Sequence, residues 1–161
     1  MVDYLSASAR LLSRKRMIET AMQSLQEQIS FLEQEMTSCR TTSYDSIRAG
    51  GSHGNAEEDR RLAILARLDD FRARYRALHE QSEMLERGFA ALSPYQTDLL
   101  ETFFVKQERY RAEKLCERYF KERSQIYRDR AKALKRFSFA VFGSANDDDS
   151  AFGTSFGTWG A

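Results

Sequence analysis

Apolar side chains in this chain recur at spacings of three, four and seven, and that rhythm restricts the fold more than any other feature. Tyr4, Leu11, Ile18, Leu25 and Leu32 fall seven apart, and Met22, Ile29 and Met36 take the complementary position four residues on. Ile64, Leu68, Phe71, Tyr75, Leu78, Ser82, Leu85, Phe89 and Leu92 step by four and three in turn, with only Ser82 interrupting the apolar series. A helix of about 3.6 residues per turn gathers such positions on one stripe, whereas a strand of period two scatters them. Charged residues make up 30% of the chain, Pro94 is its single proline, and turn signals are too few for a sheet of this length. These features predict an all-α protein of long, wet-faced helices.

The spacing predicts one helix over 3–37, capped by Asp3 or Ser6, and a second over 57–91, favoured at its start by Glu57, Glu58 and Asp59. Each would be about 50 Å long. Between them, 38–56 loses periodicity and carries Gly50, Gly51 and Gly54, which predicts a flexible connector. Residues 1–92 are therefore expected to form a long antiparallel helical hairpin, coiled-coil-like in its packing. The same seam is compatible with a homodimer, and the spacing does not choose between the two.

Residues 93–143 have a different grain. Ser93, Pro94 and Gln96 compose a helix start with a capping box, opening a short helix to Lys106 with Leu99, Leu100, Phe103 and Phe104 inward. A second short helix is expected over 111–119, with Leu115, Cys116 and Tyr119 inward, then a joint of Phe120, Lys121 and Glu122. A third is expected from Arg123 to Phe142, with Ile126, Ala133, Leu134, Phe137 and Val141 inward. Two short helices across a tight joint read as a helix-turn-helix unit. Residues 144–161 lack a core pattern and are expected to form a disordered tail, although Phe152, Phe156 and Trp159 give it the look of a docking peptide.

The net charge of +1 conceals a split: residues 105–137 hold twelve Lys/Arg against five Asp/Glu, a local +7, while Asp147, Asp148 and Asp149 make the tail acidic. Local charge sets the field that a phosphate meets. An α-helix fits the major groove and offers its first turns to the base edges, where Arg grips guanine and Gln grips adenine. The candidate base readers are Arg123, Ser124, Gln125, Tyr127, Arg128 and Lys132. Arg109, Arg111, Lys114, Lys135 and Arg136 suit phosphate contacts, which add affinity and salt dependence without sequence preference. The expected partner is double-stranded DNA.

Other chemistries find little footing. His53 lies in the connector and His79 on an outer helix face, neither with a Cys or carboxylate at ligand spacing, so no metal site or enzyme activity is expected. Gly50–Gly54 lacks the Lys-Ser/Thr of a phosphate-cradling loop, and no cofactor or small-molecule substrate is implied. Cys39 and Cys116 read as free thiols in a reducing compartment, with Cys116 buried. No apolar run is long enough to span a bilayer, so the chain is expected to be cytoplasmic and without membrane contact.

Residues 115–120 (LCERYF) and 124–137 (SQIYRDRAKALKRF) resemble the end of sigma factor region four and, more closely, the RinA, ArpU and LtrC-like late transcription regulators of phages and prophages. The order of parts is similar over about residues 4–142, but the specific motif is confined to 93–142, where residues 93–100 match the opening of the sigma-like unit. The resemblance implies activation of late genes by promoter binding, with RNA polymerase as a further partner. Three positions depart from the family pattern: Glu122 stands where Ser or Thr caps the recognition helix, Asp129 where an apolar residue is usual, and Phe120 in a turn without glycine. The competing expectation is a coiled-coil accessory protein of phage assembly or packaging that binds protein and not specific DNA.

Overall fold

The structure is a computed structural model that describes residues 3–46 and 54–145, with side chains described for 3–38 and 56–145. All regular structure among these residues is helical: α1 (Tyr4–Ser13), α2 (Lys15–Ser46), α3 (Gly54–Ala90), α4 (Pro94–Leu100), a π-helical segment (Glu101–Lys106), α5 (Arg111–Tyr119) and α6 (Arg123–Phe142). None of these helices is long and apolar enough to cross a membrane. The chain divides into two compact units, residues 18–80 and residues 1–17 with 81–161.

In the 18–80 unit, α2 and α3 meet along the expected stripes. Leu32, Ile64 and Leu68 are buried together, with Ile29, Met36 and Phe71 packed around them. Outside this seam, Glu35 pairs with Arg60 at 2.8 Å and Glu33 with Arg72 at 2.7 Å. The helices are longer than the spacing predicts. Residues 38–46, expected as connector, continue α2, and α3 begins at Gly54. Thr37 and Ser38 tolerate the helix by returning their hydroxyls to the Glu33 and Gln34 carbonyls at 2.9 and 3.1 Å. The rest of the expected connector, with Gly50, Gly51 and His53, and the Cys39 side chain lie outside the described residues.

The other unit begins with α1. Asp3 caps it, accepting from the Ser6 amide at 3.1 Å. The single helix expected over 3–37 is broken at Arg14, whose amide bonds to both the Arg10 and Leu11 carbonyls at 3.2 Å. The Ser13 hydroxyl takes the Arg10 carbonyl as well, at 2.8 Å, and crowds the last turn. On α1, Ser8 and Leu12 are fully buried, while Tyr4 and Leu11 of the heptad series are only half-buried. Periodicity carried through Arg14 as if the helix were unbroken misassigned this face.

α1 packs on α6 and on the π-helical segment. The end of α3 joins them, because Gly88 leaves room for the Phe137 ring and the Phe89 ring meets Phe137 edge-on at 5.6 Å. The compact unit therefore gathers α1 and residues 81–92 with the C-terminal helices, where the sequence reading placed a boundary at 92.

Ser93 closes the capping box as its pattern predicts, accepting from the Gln96 amide at 3.2 Å while Gln96 accepts from the Ser93 amide at 3.1 Å. The helix that follows is not α-helical to its end. Residues 101–106 are π-helical, and Leu99, Leu100, Thr102 and Phe103 are buried on one side of this stretch. Leu99, Phe103, Ala112, Leu115 and Ile126 form the core, lined by Tyr95, Phe104, Cys116 and Tyr119. Ala133 and Phe137 extend it along α6. Leu134, Val141 and Cys116, expected inward, are half-buried. α6 ends at Gly143, which takes the left-handed conformation (φ 72°) that glycine adopts without strain. Ser144 and Ala145, expected as the start of the tail, are instead packed: the Ser138 hydroxyl donates to the Ser144 carbonyl at 2.9 Å, and Ala145 is buried. The rest of that tail lies outside the described residues.

Candidate nucleic-acid interface

The first turn of α6 is open. Its N-cap, Glu122, has extended backbone but makes no side-chain bond to the turn, so it does not replace the Ser or Thr cap of the family pattern. The leading N–H groups keep their partial positive charge for an outside acceptor. From there an exposed strip runs down the helix through Ser124, Arg128, Lys132 and Lys135. Arg128 lies along it, 3.4 Å from both the Ser124 carbonyl and hydroxyl. Among the described residues Arg128, Lys132, Lys135, Arg136 and Arg109 have no carboxylate partner.

One flank of the strip is a ladder of arginine and aromatic groups. Arg111 lies 5.3 Å from the centre of the Phe103 ring, and its guanidinium also donates to the Phe103 carbonyl at 3.1 Å. Arg130 lies 4.9 Å from Phe103 and 5.0 Å from Tyr127, and Arg123 lies 5.8 Å from Tyr127. The two rings are 5.6 Å apart. Stacking of this kind orients guanidinium groups without neutralising them. Among the described residues, of the three arginines only Arg123 has a carboxylate nearby, Glu113 at 3.4 Å, and both side chains are about half exposed or more. Such a pair is screened and worth little, so a phosphate can displace it.

The other flank is organised by two carboxylates. Asp129 accepts from Tyr95 at 2.8 Å, from Lys121 at 2.9 Å and from the Gln125 amide nitrogen at 2.8 Å. Asp98 accepts from Arg118 at 2.6 Å and from Tyr119 at 2.7 Å. Burial opposes ionisation of both groups. For Asp129 the bonds from Lys121, Tyr95 and Gln125 outweigh it, and for Asp98 those from Tyr119 and Arg118 do, so both carboxyls titrate below the usual range. The bond to Asp129 raises the Lys121 ammonium in turn. Tyr95 and Tyr119 meet edge-on at 4.6 Å between the two carboxylates. These contacts tie α4 to α5, and α4 to the joint and α6.

The sequence-derived candidates thus fall into distinct settings. Ser124, Arg128 and Lys132 are exposed on the strip, with Arg123 and Tyr127 at its edge. Gln125 is half-buried, and one N–H of its amide donates to Asp129, which fixes the way the amide faces. Among the phosphate candidates, Arg109, Lys135 and Arg136 are exposed, Arg111 is anchored on Phe103, and Lys114 is paired with Glu108 at 2.7 Å, which holds the Glu108 carboxyl low. Asp129, standing where the family pattern has an apolar residue, recruits Lys121, Tyr95 and Gln125. His79 stacks on Tyr75 at 6.1 Å.

Sequence reasoning missed Arg130, although it lies three residues after Tyr127 and seven after Arg123, a spacing that places all three on one side of a helix. It also missed Tyr95 and Asp98, whose partners across the interface lie twenty or more residues away in the chain. No known protein family, curated protein or solved structure matches this chain.

Proposed function

We propose that the chain is a sequence-specific double-stranded DNA-binding transcriptional regulator, in which α5, the joint and α6 act as a helix-turn-helix. The observation that carries this reading is the open, uncapped start of α6, continued by a cationic strip whose Arg128, Lys132 and Lys135 have no carboxylate partner among the described residues. The leading end of α6 enters the major groove, where Arg128 and its neighbours meet base edges. Lys135, Arg136, Arg109 and the arginines of the ladder meet flanking phosphates. The buried core and the two carboxylate clusters hold α6 rigidly against α4 and α5, which the precision of base contact requires.

The resemblance to phage and prophage late regulators supports a promoter as the target and RNA polymerase as a second partner. The opposed order of the Glu33–Arg72 and Glu35–Arg60 pairs supports an antiparallel hairpin for residues 18–80. Such a hairpin serves to position polymerase or to pair two copies of the chain. The mechanism calls for no cofactor.

A gel shift with DNA from the chain's own genomic neighbourhood tests the reading. Specific retardation that is lost in Arg123→Ala/Arg128→Ala, with helicity and melting preserved, is the expected result. Weak, sequence-blind binding unchanged by that double substitution would instead support a coiled-coil accessory protein.

A further inference from the structure

A cleft opens where α1, the end of α3 and the end of α6 meet, within the compact unit of residues 1–17 and 81–161. It measures about 430 Å³, inside the range of about 300–1,000 Å³ that takes a drug-sized group. α1 and its C-cap supply Arg10, Leu11 and Arg14, α3 supplies Gln81 and Met84, and Phe142 forms the α6 wall. Leu11, Met84 and Phe142 are half-buried, while both arginines are exposed, so the lining is apolar and the edge cationic. Among the described residues neither arginine has a carboxylate partner. The Gln81 Oε1 atom is buried without a hydrogen-bond partner among the described residues, and buried acceptors of this kind call for a donor. The cleft therefore fits an occupant with negative charge, a large apolar group and an N–H to give.

The chain carries these groups just past α6. Asp147, Asp148 and Asp149 are followed by Phe152, all outside the described residues. Beyond Gly143 the Ser138 hydroxyl holds the Ser144 carbonyl and Ala145 is buried, so the chain is still on the body of the unit two residues before the first aspartate. An extended chain covers at most about 3.6 Å per residue, which puts Asp147 within about 18 Å of Phe142, a wall of the cleft.

We infer that this cleft seats the chain's own segment 147–152, with the aspartates on Arg10 and Arg14 and the Phe152 ring against Leu11, Met84 and Phe142. A backbone N–H of the segment donates to Gln81. Charge complementarity brings the segment in and burial of the ring holds it. The segment is a latch that ties the chain beyond α6 to α1 and α3. It does not depend on the DNA-binding reading.

Chymotrypsin cleavage after Phe152 in the 161-residue chain, followed by mass, reads the latch, because a seated bond is cut only when the segment lifts. We expect Arg10→Gln/Arg14→Gln, remote from the cut bond in sequence, to speed this cleavage about tenfold, the strength of two partly exposed ion pairs. Asp147→Asn/Asp148→Asn/Asp149→Asn should speed it about equally, and the two sets combined should add nothing further. Backbone shifts compared between wild type and the aspartate variant supply a second reading should the arginine variant disturb α1. Changes at 10–14 and 81–84 are expected. Changes at 128–136 instead would place the aspartates on the α6 strip and overturn the inference. Cleavage of the folded arginine variant at the wild-type rate overturns it too. So does wild-type protection that falls on dilution, which would put the segment on a second copy of the chain.

Discussion

Replacing Gly88 with alanine sets two effects against each other and gives them opposite signs. Glycine in a helix interior is about 0.5–1 kcal/mol less favourable than alanine, so propensity alone makes Gly88→Ala a stabilising change. The packing says otherwise. A Cβ built on Gly88 lies 2.6 Å from Cδ2 and 2.7 Å from Cζ of Phe137 and overlaps the atom between them more closely still. Carbon atoms in good contact stand about 3.5–4.0 Å apart, so the ring or the helix must give by about 1 Å. Phe137 has no room to give: it is fully buried, with the Phe89 ring edge-on against it. Overpacking of this kind costs about 1–3 kcal/mol, and rigid surroundings push it to the upper end. The net expectation is about 2 kcal/mol of destabilisation, or a fall in Tm of about 4–8 °C for a chain of 161 residues, read by far-UV circular dichroism. Combining the change with Phe137→Leu, which thins the obstructing ring, should cost less than the sum of the two single variants. A rise in Tm for Gly88→Ala would refute the close seating of α6 on α3.

Three further outcomes follow from the same contacts. Phe120 holds a left-handed conformation (φ 52°) while 95% exposed, so Phe120→Gly removes backbone strain and no burial; it should raise stability by about 1 kcal/mol, and a fall in Tm would contradict this. Asp98 and Asp129 titrate lower in the folded chain than in the unfolded one, so their contribution is whole above about pH 4, the unfolded carboxyl range, and is lost as pH falls through their folded values. Urea midpoints should therefore drop below about pH 4 in the wild type and respond less in Asp98→Asn/Asp129→Asn; parallel curves would count against the two clusters. Lys135→Ala should weaken binding to all duplexes alike and reduce the slope of log K against log salt by about one, while Gln125→Ala leaves the slope as it is; equal slopes for wild type and Lys135→Ala would remove Lys135 from the phosphate contacts.

The residues differ in how far they announce these arrangements. Ser93, Pro94 and Gln96 carry their own capping geometry, and the joint at Phe120–Glu122 lies between two apolar stripes, so α4, α5 and α6 begin where local chemistry places them. Ile64, Leu68 and Leu32 disclose their seam for the same reason, because period alone selects the buried face. The break at Arg14 is different. No glycine or proline marks it, and only the Ser13 hydroxyl on the Arg10 carbonyl gives it local expression. The heptad count ran through it and gave Leu11 a place that Leu12 fills. Polar residues 38–46 lack a stripe and so predict a connector, yet Thr37 and Ser38 satisfy their hydroxyls within the helix. At the candidate interface the exposed cations were legible as charge. The commitment of Gln125 to Asp129 was not, since nothing in a sequence states which side of an amide a tertiary partner will take.

Backbone chemical shifts of the isotope-labelled chain, followed as a selected duplex is added, test the central claim most directly. The account predicts that the largest changes fall on amides 123–132, at the uncapped start of α6 and along its cationic strip. Changes confined to residues 18–80, or none at duplex concentrations that saturate binding, would contradict it.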